Sequence, residues 1–178
     1  LFVNHLAMTG AWFVVHKLSE ISEEKFRKHV HACFTLKTGE LLVYSDIRRF
    51  GEMRLLSALE EHQPLLHMAP EPFDEQACDY FLGKCELPKY QNKPIKEVIM
   101  DGRVISGCGN IYATESLFKI GIHPARTTSR ISKKRKIELF EVIRNILLES
   151  IEMGGSTISD YRNINGEAGG MQHRLKMY

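Results

Sequence analysis

The sequence predicts an α+β fold: an antiparallel β-sandwich, incomplete at its N-terminal side, followed by a helical domain. Three observations predict it. Short β-rich runs separated by tight turns fill the first third of the chain. From Ser57 onward the apolar spacing becomes helical. Between the two regimes lies a proline-rich passage, Met68-Ala69-Pro70-Glu71-Pro72, which reads as an interdomain linker. Residues 1–70 are therefore expected to form part of a β domain and residues 71–178 a helical one.

Leu1–Leu6 and Trp12–Val15 are apolar, strand-like runs parted by the turn-like Ala7-Met8-Thr9-Gly10. Cys33–Leu36 and Leu41–Tyr44 flank Lys37-Thr38-Gly39-Glu40, where Gly39 suits the positive φ of a tight hairpin. A further strand is expected at Glu52–Leu56, after Gly51. Asp74–Cys85 reads as a helix capped by Asp74, and Pro94–Met100 as a short helix with its proline where no N–H is needed. Asn110–Ile120 is another helix, ended by Gly121 and Pro124. Lys133–Met153 is the longest, with Leu139, Phe140, Ile143, Leu147 and Ile151 on one face. Ser132 can cap its start, and Gly154-Gly155 stops it.

With 178 residues, 43% hydrophobic and 26% charged, the chain is ordinary globular material, enough for one domain or two small ones. No run of about 18 apolar residues exists, so no helical membrane span is expected. No basic-then-apolar leader opens the chain, and the cytoplasm is the expected compartment. Cys33, Cys78, Cys85 and Cys108 form no CxxC pair, which excludes a zinc ribbon from this stretch and suggests buried or idle thiols. The net charge of +2 says little, but its distribution says more. Lys119 to Lys136 holds seven Lys/Arg and no Asp or Glu, whereas among the charged residues from Glu60 to Glu86 acids dominate, seven to one. Such segregation suggests an electropositive face of the kind that meets a polyanion. Lys133-Lys134-Arg135-Lys136 alone reads as a solvated helix start. The chain opens and closes on strand-like residues, Leu1-Phe2-Val3 and Leu175-Lys176-Met177-Tyr178, and both ends read as truncations.

The segment from Ile95 to Phe118 carries the strongest local signal. It is a short helix, a glycine-punctuated double turn, and a second helix opened by Gly109-Asn110. Glycines permit close approach to the backbone, and a helix N-terminus beside an Asn side chain suits a phosphate. An ordinary helical hairpin with a glycine turn explains the spacing equally well. The string Gly107 to Phe118, Gly-Cys-Gly-Asn-Ile-Tyr-Ala-Thr-Glu-Ser-Leu-Phe, resembles the helix–two-turn–helix of the formamidopyrimidine-DNA glycosylase and endonuclease VIII family. Two more segments resemble the same family. Asp46-Ile47-Arg48-Arg49-Phe50-Gly51 is similar to its Asp-Pro-Arg-Arg-Phe-Gly loop, with Ile47 for proline. His5-Leu6-Ala7-Met8-Thr9-Gly10 is similar to its His-Leu-Gly-Met-Ser-Gly turn, with Ala7 for glycine.

Taken alone, Met8 and Phe50 read as core residues and Arg48-Arg49 as a surface pair. The resemblance implies instead that Met8, Arg48 and Phe50 enter the duplex when a damaged base leaves it. Apolar wedges and a guanidinium can then offset part of the few kcal/mol that eversion costs. The resemblance further implies DNA phosphate contacts from His5, His29, Lys93, Lys96, Asn110 and Tyr178, and a bracing role for Glu115 at the double turn. His29 and His31 alone could hint at a metal, but no third ligand lies nearby in sequence. Gly102-Arg103 departs from the family's usual Asn or Gln, which implies a changed loop surface without loss of binding. The polar, glycine-rich stretch from Gly154 to Gln172 resembles the loop that closes over an everted oxidised purine, with Ser156, Thr157, Tyr161 and Glu167 as its candidate contacts.

The resemblance implies base-excision repair: removal of 8-oxoguanine and formamidopyrimidines from duplex DNA by a monomeric, bifunctional glycosylase and lyase that cuts the abasic strand by β,δ-elimination. Its nucleophile is an N-terminal proline amine with an adjacent glutamate. Position 1 here is Leu1, so no catalytic residue is assigned within the chain, and residues 1–178 alone are expected to form no borohydride-trappable Schiff base. One structural zinc, on a four-cysteine finger, is expected in the full-length protein and none in this stretch. The alternatives are a non-catalytic paralogue that only recognises damaged DNA, an endonuclease VIII-type enzyme acting on oxidised pyrimidines, and an RNA-binding protein sharing the two-turn hairpin.

Overall fold

The computed structural model describes residues 1–156 and 168–177. They form two compact units, Leu1–Glu61 with Met153–Arg174, and His62–Glu152 with Leu175–Tyr178. In the first unit, β1 (Phe2–His5) pairs antiparallel with β5 (Glu52–Leu55), from Phe2↔Leu55 to His5↔Glu52. A three-stranded antiparallel sheet holds β2 (Gly10–Val15), β3 (Val30–Thr35) and β4 (Leu41–Asp46), with β4 in the middle. Central position explains why β4 is buried from Val43 to Asp46.

Alternation along β2 sends Ala11 and Phe13 to one face, where they meet Ile21, Phe26 and Val43. Phe26 lies on α1 (Glu24–Arg27), a short helix that the sequence reading did not anticipate. Trp12 points the other way, into an aromatic cluster with Phe2, Phe34 and Tyr44 at centroid distances of 5.0–6.2 Å. Ile47, which stands where the family pattern has proline, packs at the edge of the Phe13–Phe26 core.

The second unit carries α2 (Gln63–Leu66), α3 (Ala77–Cys85), α4 (Pro88–Gln91), α5 (Ile95–Ile99), α6 (Asn110–Ile120) and α7 (Lys133–Glu152). One core runs through it, from Phe81 and Cys85 on α3 through Ile95, Val98 and Ile99 on α5 to Leu139, Phe140 and Ile143 on α7. Among the described residues no helix is long and apolar enough to cross a membrane.

Several expectations are corrected. The Pro-rich passage is tied into the helical unit, because Ala69 donates its N–H to the Gly102 carbonyl and accepts from the buried Ser106 hydroxyl at 2.6 Å. The third helix begins at Ala77, and Asp74 sits in the preceding turn, its carbonyl accepting the Ala77 N–H. Ile151 is 65% exposed, since the inward stripe of α7 passes instead through Ser150, whose hydroxyl meets that of Tyr112 at 2.5 Å. Nor is the start of α7 uniformly solvated. Lys136 is only 4% exposed and its ammonium reaches Glu86 at 3.0 Å, while Arg135 donates to the Ile120 carbonyl at the end of α6.

Burial pushes the thiols of Cys85 and Cys108 up to about 12, whereas Cys33 is exposed. A thiol reagent at neutral pH is expected to modify Cys33 quickly and to reach Cys85 and Cys108 only on unfolding. Peptide mapping after timed labelling checks this; early modification of Cys108 would contradict the burial described.

Candidate nucleic-acid interface

Topology places the candidate residues of the first unit. Gly10↔Asp46 ends the ladder between β2 and β4, and His5↔Glu52 ends that between β1 and β5. The chain therefore crosses between the two sheets twice at the same corner, through residues 6–9 and 47–51. The two turns face each other, and their side chains meet. Arg48 donates from its guanidinium to the Met8 sulfur at 3.2 Å and lies over the Phe50 ring at 4.8 Å. Met8 is 65% exposed and Phe50 58% exposed, so neither belongs to the core.

Asp46 organises this corner. Its carboxylate is 1% exposed and accepts from the Thr9 hydroxyl, from Gly51 N–H at 2.7 Å, from Arg48 N–H at 3.2 Å, and at longer range from the Tyr44 hydroxyl. Burial opposes its ionisation, but the Thr9 hydroxyl and the amides of Gly51, Arg48 and Arg49 together outweigh it and hold the carboxyl below its ordinary value. Thr9 in turn accepts from Arg48 N–H at 3.0 Å, so the hydroxyl bridges both turns.

Glycines permit the close approach. A Cβ on Gly10 would collide with the Leu6 carbonyl oxygen, and one on Gly51 with the Tyr44 hydroxyl. Ala7 and Arg49 adopt φ of 52° and 57°, so each turn contains one residue in the left-handed region. That conformation accounts for glycine in the family pattern at position 7, where this chain carries alanine.

At the start of β3, His29 is half-buried, its Nδ1 2.7 Å from the Lys25 carbonyl. His31 occupies the bulge between Val30 and Ala32, with Nε2 2.9 Å from the Asp46 carbonyl. The alternation expected of a regular strand is therefore broken there. His5 lies exposed at the end of β1.

In the second unit, α5 and α6 flank a double turn in which Gly107 takes a φ of 77°. Gly109 is the residue before α6, Asn110 is its exposed first residue, and a Cβ on Gly102 or Gly109 would meet nothing within 4 Å. The backbone of the turn is thus open to approach. Lys96 and Asn110 border one open depression, which Glu97 and Asp101 also edge; Lys93 is exposed nearby in sequence, outside it. The depression is formed as residues 93–96 run beside 124–128, with Ile95 N–H on the Arg126 carbonyl and Thr128 N–H on that of Lys93.

Arg103 folds back onto Asp101, with contacts of 2.8–3.0 Å from its side chain and main chain. That pairing holds the Asp101 carboxyl well below the usual carboxylate range. Glu115 does not brace the double turn. Its buried carboxylate instead accepts the N–H groups of Lys176 and Met177 at 2.9 and 2.7 Å.

Among the candidate loop residues, Ser156 is half-buried. Thr157, Tyr161 and Glu167, and likewise Tyr178, lie outside the described residues. Among the described residues no three His, Cys, Asp or Glu side chains gather to hold a metal. Sequence reasoning missed Asp46, Thr9 and Tyr44. The available signal was an acid at the first position of one turn and a hydroxyl near the end of the other, but only the pairing Gly10↔Asp46 makes them neighbours.

Comparison with known proteins gives a consistent result. Residues 68–162 match the formamidopyrimidine-DNA glycosylase H2TH domain, and residues 1–53 the formamidopyrimidine-DNA glycosylase N-terminal domain. A formamidopyrimidine-DNA glycosylase of Klebsiella pneumoniae subsp. pneumoniae is 39% identical over 180 residues, covering 97% of this chain and 66% of that protein. The crystal structure of MutM (Fpg) from Thermus thermophilus superposes with a TM-score of 0.79 at 33% identity, covering 98% of this chain and 62% of that one. The Lactococcus lactis Fpg G226P mutant in complex with Fapy-dG-containing DNA gives 0.78 at 28% identity, with 98% and 62% covered. This chain thus spans less than two thirds of the length of these relatives. With both domain models matched in order along the sequence and the fold reproduced over nearly its whole length, the chain belongs to the formamidopyrimidine-DNA glycosylase family.

Proposed function

We propose that the protein is a base-excision repair glycosylase and lyase for oxidised purines, and that residues 1–178 supply its grip on damaged duplex DNA. The observation that carries the proposal is the exposed trio of Met8, Arg48 and Phe50, in which Arg48 touches both of the others. Large apolar side chains held at a turn by a guanidinium are costly to leave in water. They suit a gap vacated by an extruded base, where Met8 and Phe50 restore stacking and Arg48 hydrogen-bonds the orphaned cytosine. The Fapy-dG-containing DNA bound by the Lactococcus lactis neighbour supports an oxidised purine as the lesion. On this reading His5, His29, Lys93, Lys96 and Asn110 hold phosphates, and the stretch around Ser156, Thr157, Tyr161 and Glu167 caps the everted base. No proton transfer or covalent step is assigned to the described residues.

The test is strand cleavage by the natural full-length protein on duplexes carrying 8-oxoguanine, an oxidised pyrimidine or no damage. Preferential cutting at 8-oxoguanine is expected. Preference for the pyrimidine lesion, or binding without cutting, would replace this reading with one of its alternatives. Lys96→Ala is expected to weaken binding to every duplex alike and to reduce the slope of log K against log salt by about 1. A titration series in salt measures it, and an unchanged slope would remove Lys96 from the phosphate contacts.

A further inference from the structure

We infer that Asp46 is a positioning residue that clasps the two wedge-bearing turns into one preformed tool, acting through Thr9 on one turn and the Arg48 and Gly51 amides on the other. The inference rests on the reading of Met8, Arg48 and Phe50 as duplex wedges and goes beyond it by naming what fixes their geometry. Four groups point at this buried carboxylate: the Thr9 hydroxyl, two main-chain N–H groups and the Tyr44 hydroxyl. All four can donate, and the two amides can do nothing else. Only an acceptor-only group with two oxygens satisfies such a set; an Asn side chain would turn an NH2 toward donors. The Thr9 hydroxyl gives its proton to Asp46 and takes the Arg48 N–H on its lone pair, so one side chain joins residues 39 positions apart.

The clasp bears on function because of what it holds. The amides it fixes belong to Arg48 and to Gly51, on either side of Phe50, and Thr9 follows Met8 directly. Without it each turn would have to be ordered separately as it was driven into the base stack, at an entropic cost borne during insertion. With it, the ordering precedes contact with DNA.

The experiment uses the natural full-length protein and a lesion duplex with 2-aminopurine beside the lesion, whose fluorescence rises when stacking is broken by wedge insertion. Asp46→Asn and Thr9→Val are expected to slow the insertion phase at least tenfold while binding to undamaged duplex stays within twofold. Thr9→Ser, which keeps the hydroxyl, is expected to insert at the normal rate. A merely structural role for Asp46 would instead lower insertion, binding to undamaged duplex and folding stability together. The wedge variant Met8→Ala with Phe50→Ala separates the two ideas. If it loses insertion while Thr9→Val keeps it, the clasp is wrong and the wedge reading stands. If the wedge variant inserts normally, the wedge reading fails on its own account. Circular dichroism monitors folding, and should Asp46→Asn fail to fold, Thr9→Val decides the matter because it removes only the hydroxyl.

Discussion

Gly10→Ala is expected to destabilise the β unit by about 2–3 kcal/mol, the upper part of the range of about 1–3 kcal/mol for forcing extra volume into a packed site. The added methyl would collide with the Leu6 carbonyl oxygen, the same oxygen that accepts the Gly10 N–H at 3.0 Å. Backbone blocks the position, so no rotamer change relieves it. The Tyr44 hydroxyl lies on a second side at 2.8 Å, and Tyr44 is itself buried beside Trp12. Trp12 is the only tryptophan, so its fluorescence during urea unfolding reports on this unit. Gly39→Ala provides the comparison. An added methyl there has open space, and only the φ of 90° resists it, so a smaller loss of about 1 kcal/mol is expected. Equal midpoints for Gly10→Ala and the parent would show that the two turns are not packed as described.

The second large effect concerns chemistry. Met8→Ala combined with Phe50→Ala is expected to reduce excision of an oxidised purine roughly 100-fold, corresponding to about 3 kcal/mol of lost support for the extruded state. Both side chains are mostly exposed and lie outside the Phe13–Phe26 core, so stability should change little. Affinity for undamaged duplex should also hold, because phosphate contacts dominate it. Single-turnover excision, thermal melting and binding to undamaged duplex measure the three quantities. A parallel loss in all three would mean that the pair serves the fold.

Local pattern carried much of this architecture. Gly39 marked its hairpin, and α5, the double turn and α6 could be placed from glycines and apolar spacing to within a residue or two. Less legible were features fixed by contacts distant in sequence. Ile151 continues the i, i+4 series of α7, yet the helix leaves its core there and Ser150 takes the inward place beside Tyr112. Lys136 looks like part of a solvated basic run until Glu86, fifty residues away, provides its partner. The prolines around Ala69 suggested a free linker, whereas the bonds to Gly102 and Ser106 fasten it. At the interface, family resemblance named Met8, Arg48 and Phe50, which residue type alone would have sent to the core or an ordinary surface. Asp46 had no role in the sequence reading because its function depends on register.

The glycines after α7 have a consequence of their own. Gly170 N–H bonds to the Met153 carbonyl at 2.8 Å and Met171 N–H to that of Gly155 at 3.1 Å, while Gly154 and Gly155 take φ of 71° and 91°. Gly169 passes so near the Gly155 carbonyl that any side chain on it would collide there. The chain is therefore pinched shut at the base of whatever lies between, and the entropy of bringing those two ends together is met by the pinch itself. Because closure cost rises only slowly with length, changing the number of residues between positions 156 and 168 is expected to leave the Met153–Gly170 and Gly155–Met171 bonds in place.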